Sequence, residues 1–345
     1  MSRSRALLPA GLWLPAAAAL AQVDGPMGYL FTHGPAADPA TRLNWGLMAI
    51  SVAVTVIIAA LVLYASLRRR PPLPPADNGW PPPQPDTGGA SWIYIGTAIS
   101  TVVLLGSTIW TILTLSAVAA PHREPSLTLE VTAHQWWWEV RYRGSRKPDV
   151  MITANEIHIP VGEPVHIRLE SDDVIHSFWV PKLGGKTDVI PGQTNFAWLQ
   201  ADQPGTYRGQ CAEFCGSQHA HMALYVVAQD PPAFNAWLEA QKAEAGTPQA
   251  PQAVSGHEVF VSRCSVCHTV RGDSAGAGAA GRLGPDLTHL MSRSTIAAGR
   301  LPNNTGSLHG WVANAQAIKP GTRMPRMDLS PEDLHAVVSY LETLK

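Results

Sequence analysis

Two long uncharged runs constrain this chain more than anything else in it. Residues 45–67 and 92–119 contain no acidic or basic side chain. Each is long enough to cross hydrocarbon as a helix, which takes about 20 residues at ~1.5 Å each. A bilayer offers no water to backbone groups, so runs of this kind satisfy them internally as helices. Arg68-Arg69-Arg70 closes the first run, and the positive-inside tendency puts that end in the cytoplasm. The second run then returns the chain to the outer side. This predicts a two-helix transmembrane hairpin, with spans over 45–67 and 92–119 joined by a cytoplasmic Pro-rich linker over 68–91. Upstream, residues 1–21 have the pattern of a secretory signal peptide. Arg3 and Arg5 precede an apolar stretch over 6–20, and Ala19-Leu20-Ala21 offers a cleavage site before Gln22.

The charge balance excludes one partner class. The 25 basic and 26 acidic residues give a net charge of -1, and no basic run interleaved with aromatics appears, so nucleic acid is not a partner. Membrane lipid is.

The run Cys211-Ala-Glu-Phe-Cys215-Gly-Ser-Gln-His219-Ala-His221-Met222 gathers two thiols, two imidazoles, a thioether and the carboxylate of Glu213. Thiolate, thioether and imidazole together select copper or another soft ion. The spacing is not that of paired Cys-x-x-Cys zinc knuckles. One loop wrapped round a compact centre suits it, with a further ligand from elsewhere, and His176 in Val-Ile-His-Ser-Phe-Trp-Val-Pro is on offer. The flanking sequence is cut into short β-branched runs at 127–131, 156–159, 165–170, 194–199 and 223–227. Turn signals separate them, which predicts a Greek-key β-sandwich or barrel. In His134-Gln135-Trp136-Trp137-Trp138, alternation along a strand would point Trp136 and Trp138 one way and Trp137 the other.

A tether rich in Ala, Pro, Gln and Gly spans 241–252. Beyond it Cys264-Ser-Val-Cys267-His268 is a c-type haem attachment site in an exported segment. Two thiols add to the haem vinyls and the adjacent imidazole reaches the iron. Gly256 and Phe260 lie on the preceding helix, Gly284-Pro-Asp-Leu resembles a loop supporting that histidine, and Ser330-Pro-Glu-Asp starts a terminal helix. Copper and haem together use all four cysteines and leave none for a structural disulfide.

Together these marks resemble subunit II of a haem-copper cytochrome c oxidase, in the form with a cytochrome c domain fused at its C-terminus. The resemblance implies a multidomain membrane protein: the helical hairpin, a cupredoxin-like β-sandwich over 121–230, and an all-α class I cytochrome c domain over 253–345. It implies a binuclear copper centre, CuA, held by His176, Cys211, the backbone carbonyl of Glu213, Cys215, His219 and Met222. Trp136 would lie over that centre at the surface, where electrons enter. Asp188, in Lys186-Thr-Asp-Val-Ile-Pro-Gly, and the Glu213 carboxylate would lie near a magnesium or manganese ion at the junction with subunit I.

The covalent haem would take Cys264, Cys267 and His268, with Met324 of Lys319-Pro-Gly-Thr-Arg-Met-Pro as sixth ligand, Met327 in reserve and His309 third. A methionine ligand raises the potential relative to two histidines.

Electrons would pass from haem c through CuA to haem a of subunit I, where oxygen is reduced to water and protons are pumped. The resemblance further implies subunit III as a partner, a soluble or membrane cytochrome c as donor, and a multi-pass location in a bacterial inner membrane with both redox domains periplasmic. The carboxylate that assists proton uptake in the family's second span has no counterpart here; Asp86 in the linker is the nearest acid. The alternatives are the CuA subunit of a nitric-oxide-reducing complex and a copper-binding assembly protein, the latter opposed by the haem motif. Residues 121–230 carry 13 acidic against 9 basic residues and 254–345 carry 9 basic against 7 acidic. Opposite signs favour docking, with Glu170, Asp172 and Asp173 near His176 as expected contacts.

Overall fold

A helix that is apolar on every face has no side suited to water, and the two membrane runs form such helices. In the computed structural model, which describes residues 25–69, 89–125, 127–143, 151–272 and 283–345, they are α1 (Asp38–Leu67) and α2 (Gly89–Ala119). The expected signal segment and most of the linker, Asp86 included, lie outside the described residues. Both helices leave large apolar side chains exposed, among them Leu61, Val62, Leu104 and Leu105. The hydroxyls of Ser51, Thr55, Ser107 and Thr111 donate to carbonyls one turn back, which satisfies them inside the helix as hydrocarbon requires. Within this pair, Gly46 sits against Trp110. A Cβ there would lie 2.2 Å from the indole, so a larger residue would have to push the ring aside.

The remaining residues make a second unit that includes the stretch ahead of α1. His33 N–H donates to Lys182 and its carbonyl accepts from Asp202, each at 2.8 Å.

Ten strands build the sandwich: β1 (Leu127–His134), β2 (Trp137–Arg143), β3 (Met151–Ala154), β4 (Glu156–Pro160), β5 (Val165–Ser171), β6 (His176–Phe178), β7 (Thr187–Val189), β8 (Asn195–Leu199), β9 (Gly205–Gln210) and β10 (Ala223–Gln229). One sheet has the order β3-β2-β1-β5-β8 and the other β4-β10-β9; β6 and β7 form a short ladder. Period-two alternation buries Leu129, Val131 and Ala133 of β1, Val140 and Tyr142 of β2, and Val165, Ile167 and Leu169 of β5. The pairs β1–β5 and β4–β10 are parallel, the others antiparallel. His134 pairs with Trp137, so Gln135-Trp136 is the two-residue turn of a hairpin. Trp136 therefore does not share a strand face with Trp138, and alternation fails at this position because the strand ends before it.

The C-terminal part is helical: α3 (Pro231–Lys242), α4 (Pro251–Arg263), α5 (Thr305–Ala313), α6 (Ala315–Ile318) and α7 (Pro331–Leu341), plus the two-residue strands β11 (Thr295–Ile296) and β12 (Leu301–Pro302). Ser330 caps α7 by accepting from Asp333 N–H at 3.0 Å, with Pro331 at the first helical position. Helices α4 and α7 meet around Phe260, Val337, Tyr340 and Leu341. The crossing is close because Gly256 faces Ala336. A Cβ on Gly256 would fall 1.9 Å from the Ala336 carbonyl oxygen, a backbone atom that cannot rotate away. Gly256→Ala should destabilise the haem domain by about 1–3 kcal/mol, read as an earlier denaturant midpoint; an unchanged midpoint would show that α4 and α7 separate freely.

Candidate metal and haem sites

The loop between β9 and β10 is pinned before it holds anything. Cys211 N–H donates to Met222 at 2.9 Å, closing the loop, and Ala212 N–H donates to Ser177 at 2.9 Å, tying it to the strand that carries His176. Cys211, Cys215, Met222 and His176 are all buried. Cys211 Sγ lies 3.8 Å from Cys215 Sγ, 3.2 Å from the Glu213 carbonyl oxygen and 3.9 Å from His176 Nδ1. Cys215 Sγ lies 3.6 Å from His219 Nδ1 and 3.9 Å from Met222 Sδ. The structure thus brings together His176, Cys211, Glu213 through its carbonyl, Cys215, His219 and Met222. Both cysteines are free, their sulfurs far beyond the ~2.05 Å of a disulfide. The hydrogen bond from Cys215 holds the Cys211 thiol far below its ordinary range. Two sulfurs bracketed by two imidazole nitrogens, a thioether and a carbonyl form a soft donor set that fits a pair of copper ions.

Asp173 orients this site. Its Oδ1 is 2.9 Å from His176 Nε2, leaving Nδ1 for a metal, and its Oδ2 accepts from Gln135 N–H at 2.7 Å. His221 turns away, its Nδ1 2.7 Å from Gln218 Oε1. Asp188 and the Glu213 side chain are exposed, and neither belongs to a group of three metal-capable side chains among the described residues.

A cavity of about 270 Å3 lies in the helical domain, lined by Cys264, Cys267, His268, Met324 and Met327 among others. The attachment motif turns tightly off the end of α4: Cys267 and His268 N–H groups both donate to Cys264 at 3.0 Å. His268 Nδ1 is 2.8 Å from the Pro285 carbonyl, which fixes the ring and leaves Nε2 as the free ligand atom. Gly284 makes room for that ring, since a Cβ would come within 2.6 Å of it. Burial lowers the His268 pKa, so the imidazole is neutral and able to ligate. Burial also pushes the Cys264 thiol up to about 11. His309 does not line the cavity. It bonds Thr305 and stacks on His335, which removes it as a ligand because the face of α5 that carries it looks outward.

Two residues missed in the sequence complete this cavity. Gln316 donates to the carbonyls of Thr322 and Met324, both at 2.6 Å, and accepts from Gly321 N–H at 2.9 Å, so one amide holds the methionine loop. Arg293 is buried and lines the cavity; its Nη2 donates to the Asp286 carbonyl at 2.5 Å and its Nε has no partner among the described residues. An orphaned guanidinium N–H at the cavity wall fits a haem propionate. No local pattern marks either residue, since the role of each depends on which loop folds over it.

The cavity also reaches the β-sandwich: Gln135, Trp136 and Trp137 line it. Trp136 Nε1–H donates to the Cys215 carbonyl at 3.0 Å, and Gln135 Nε2 donates to the same oxygen at 2.7 Å. Trp136 is therefore not at the surface, as the resemblance implied, but 7% exposed, because the helical domain covers it. Trp138 packs in the core edge-on to Phe178.

The two domains meet through partly buried hydrogen bonds. Ser294 N–H and Oγ donate to Glu156 at 2.9 and 2.5 Å, Gln218 donates to the Pro320 carbonyl at 2.8 Å, and Ala223 N–H donates to the Ala298 carbonyl at 3.0 Å. Of the three acids expected to dock, only Asp173 meets the helical domain, 3.4 Å from Arg323. Glu170 is held by Arg168 and Thr194 in its own sheet, and Asp172 faces His134. Both acids are thus held within the β-sandwich.

Two family models match the chain. "Cytochrome C oxidase subunit II, periplasmic domain" covers residues 145–229 and "Cytochrome c" covers 253–345; Trp136 lies upstream of the first match. The cytochrome c oxidase subunit 2 of Alkalihalophilus pseudofirmus is 35% identical, over 85% of this chain and 83% of that protein. That of Bacillus sp. strain PS3 is 33% identical over 73% of each. Among solved structures, the periplasmic domain of subunit II of cytochrome oxidase from Bradyrhizobium japonicum is 30% identical, spanning 35% of this chain and 96% of that one, with a TM-score of 0.33.

Proposed function

This chain belongs to the cytochrome c oxidase subunit 2 family, and from that premise we propose that it carries single electrons from a covalent haem, past Trp136, to a binuclear copper centre. Membership makes it a subunit of a haem-copper terminal oxidase, a membrane protein with a periplasmic domain that binds copper and haem c and serves in electron transfer. The proposal concerns which residues do this. Cys264 and Cys267 would anchor the haem, with His268 and Met324 on its iron and Arg293 on a propionate. His176, Cys211, Cys215, His219, Met222 and the Glu213 carbonyl would hold the copper pair. When bound, the copper pair would take up and pass on one electron at a time with little change in its bond lengths.

The chain's own residues keep that geometry still. The loop is closed on itself by Cys211 and Met222 and tied to β6, and Asp173 fixes the His176 ring. Rigid ligands carry less reorganisation into each electron step. The observation that carries the proposal is Trp136, one side chain that both lines the haem cavity and hydrogen-bonds the backbone of a copper ligand.

Downstream, electrons would pass to haem a of subunit I for oxygen reduction coupled to proton pumping, in a bacterial inner membrane, with subunit III in the complex and a cytochrome c as donor. Asp188 and the Glu213 carboxylate, both exposed, would share a magnesium or manganese ion with subunit I. The test is the copper-to-haem ratio of the full chain with the paramagnetic resonance of its copper. Two coppers for each haem with one electron spread over both is expected. A single localised copper would sink the assignment of the loop.

A further inference from the structure

Lys319 heads the methionine loop and is 2% exposed. Its Nζ donates to the Trp136 carbonyl at 2.6 Å and to the Ala297 carbonyl at 3.3 Å. Burying an ammonium is costly; here burial pushes its pKa down to about 7. An apolar side chain would fill the same space without that penalty, so the placement calls for a specific role.

The two acceptors supply one, because they lie on different domains. Trp136 belongs to the β-sandwich and Ala297 to the helical domain. Ala297 and Ala298 have φ of 55° and 58°, left-handed backbone that residues with a Cβ rarely adopt. This turn directs successive carbonyls at Lys319 Nζ and at Ala223 N–H. The residues after Lys319 continue the contact. Pro320 accepts from Gln218 of the copper loop, and Gly321, at φ 85°, lies where a Cβ would be 3.6 Å from the Trp136 ring.

The turn that carries the indole is thereby tied at both ends, Gln135 N–H by Asp173 and the Trp136 carbonyl by Lys319. We infer that Lys319 is a positioning residue for electron transfer from haem to copper, fixing the Trp136 backbone so that the indole spans the haem cavity and the Cys215 carbonyl. This rests on the function proposed above. The step moves one electron from the reduced haem to the oxidised copper pair, and no bond forms or breaks.

The experiment is time-resolved transfer from haem to copper in the full chain loaded with both cofactors, after rapid reduction of the haem by a light-triggered small-molecule reductant. Lys319→Met should slow transfer on the order of 10-fold or more, since small misplacements of a relay group are that costly. Haem absorption, copper resonance and both potentials should stay as in the wild type. Lys319→Gln, which keeps a donor, should recover part of the rate. Glu156→Gln, which loosens the same interface away from Trp136, should slow it less.

A wild-type rate in Lys319→Met overturns the inference. So does equal slowing in Glu156→Gln, which would make Lys319 one docking contact among several, and so does loss of haem or copper from both Lys319 variants, which would make it structural. No transfer in the wild type would instead sink the proposed function itself.

Discussion

Cys215→Ser should leave the full chain with its haem but without a copper pair. The Cys215 sulfur lies 3.8 Å from Cys211 Sγ, 3.6 Å from His219 Nδ1 and 3.9 Å from Met222 Sδ. A serine oxygen is hard and short, and the surrounding donors are soft. The loop itself should persist, because its closure rests on the backbone bonds of Cys211 and Ala212. Losing groups that merely orient a ligand already costs about 10–100-fold in affinity or activity. If Cys215 holds the copper as proposed, its loss should therefore cut oxygen uptake by the assembled oxidase on the order of 100-fold or more. Copper content, resonance and oxygen uptake, measured together on Cys215→Ser, check this. Two coppers with the delocalised signal retained would show that Cys215 is not a bridge.

What could be read in advance was what is local. The spans are legible because hydrocarbon demands a continuous run, the copper loop because four of its donor side chains fall within twelve residues, and the haem site because attachment needs adjacent residues. His176 was within reach because the loop lacked a ligand. The tryptophan run was misread at one position. Three consecutive aromatics look like a strand, yet the hairpin turns at Gln135-Trp136 and frees Trp136 to face the other domain.

The interface was the least legible part. Sequence proximity to His176 suggested three acids, but Arg168, two residues back on the same strand, already holds Glu170. The contacts that form, Glu156 with Ser294 and Lys319 with Trp136, join positions 138 and 183 residues apart. Both depend on burial, which a charged residue in a polar stretch does not announce.

Arg293→Met tests the other residue that burial alone revealed, and the sign of its effect decides the matter. Arg293 is 9% exposed, with one N–H on the Asp286 carbonyl and Nε unpaired among the described residues. Burial lowers its pKa, with Asp286 and Glu156 opposing the shift, but an arginine stays charged in a protein. A buried cation lacking a close counter-ion is a liability, and replacing it by an apolar side chain of similar volume is then neutral or stabilising. If a haem propionate completes the pair, the same replacement strands a buried anion and should cost about 3–5 kcal/mol. We expect the second outcome in the haem-loaded chain, measured as the loss of unfolding free energy in denaturant followed through haem absorption. Arg293→Lys should fall between, since it keeps the charge but not the fork that bonds a carboxylate with two parallel N–H groups. A loaded Arg293→Met chain as stable as the wild type, or more so, would mean that no anion reaches Nε and that the haem sits elsewhere in the cavity.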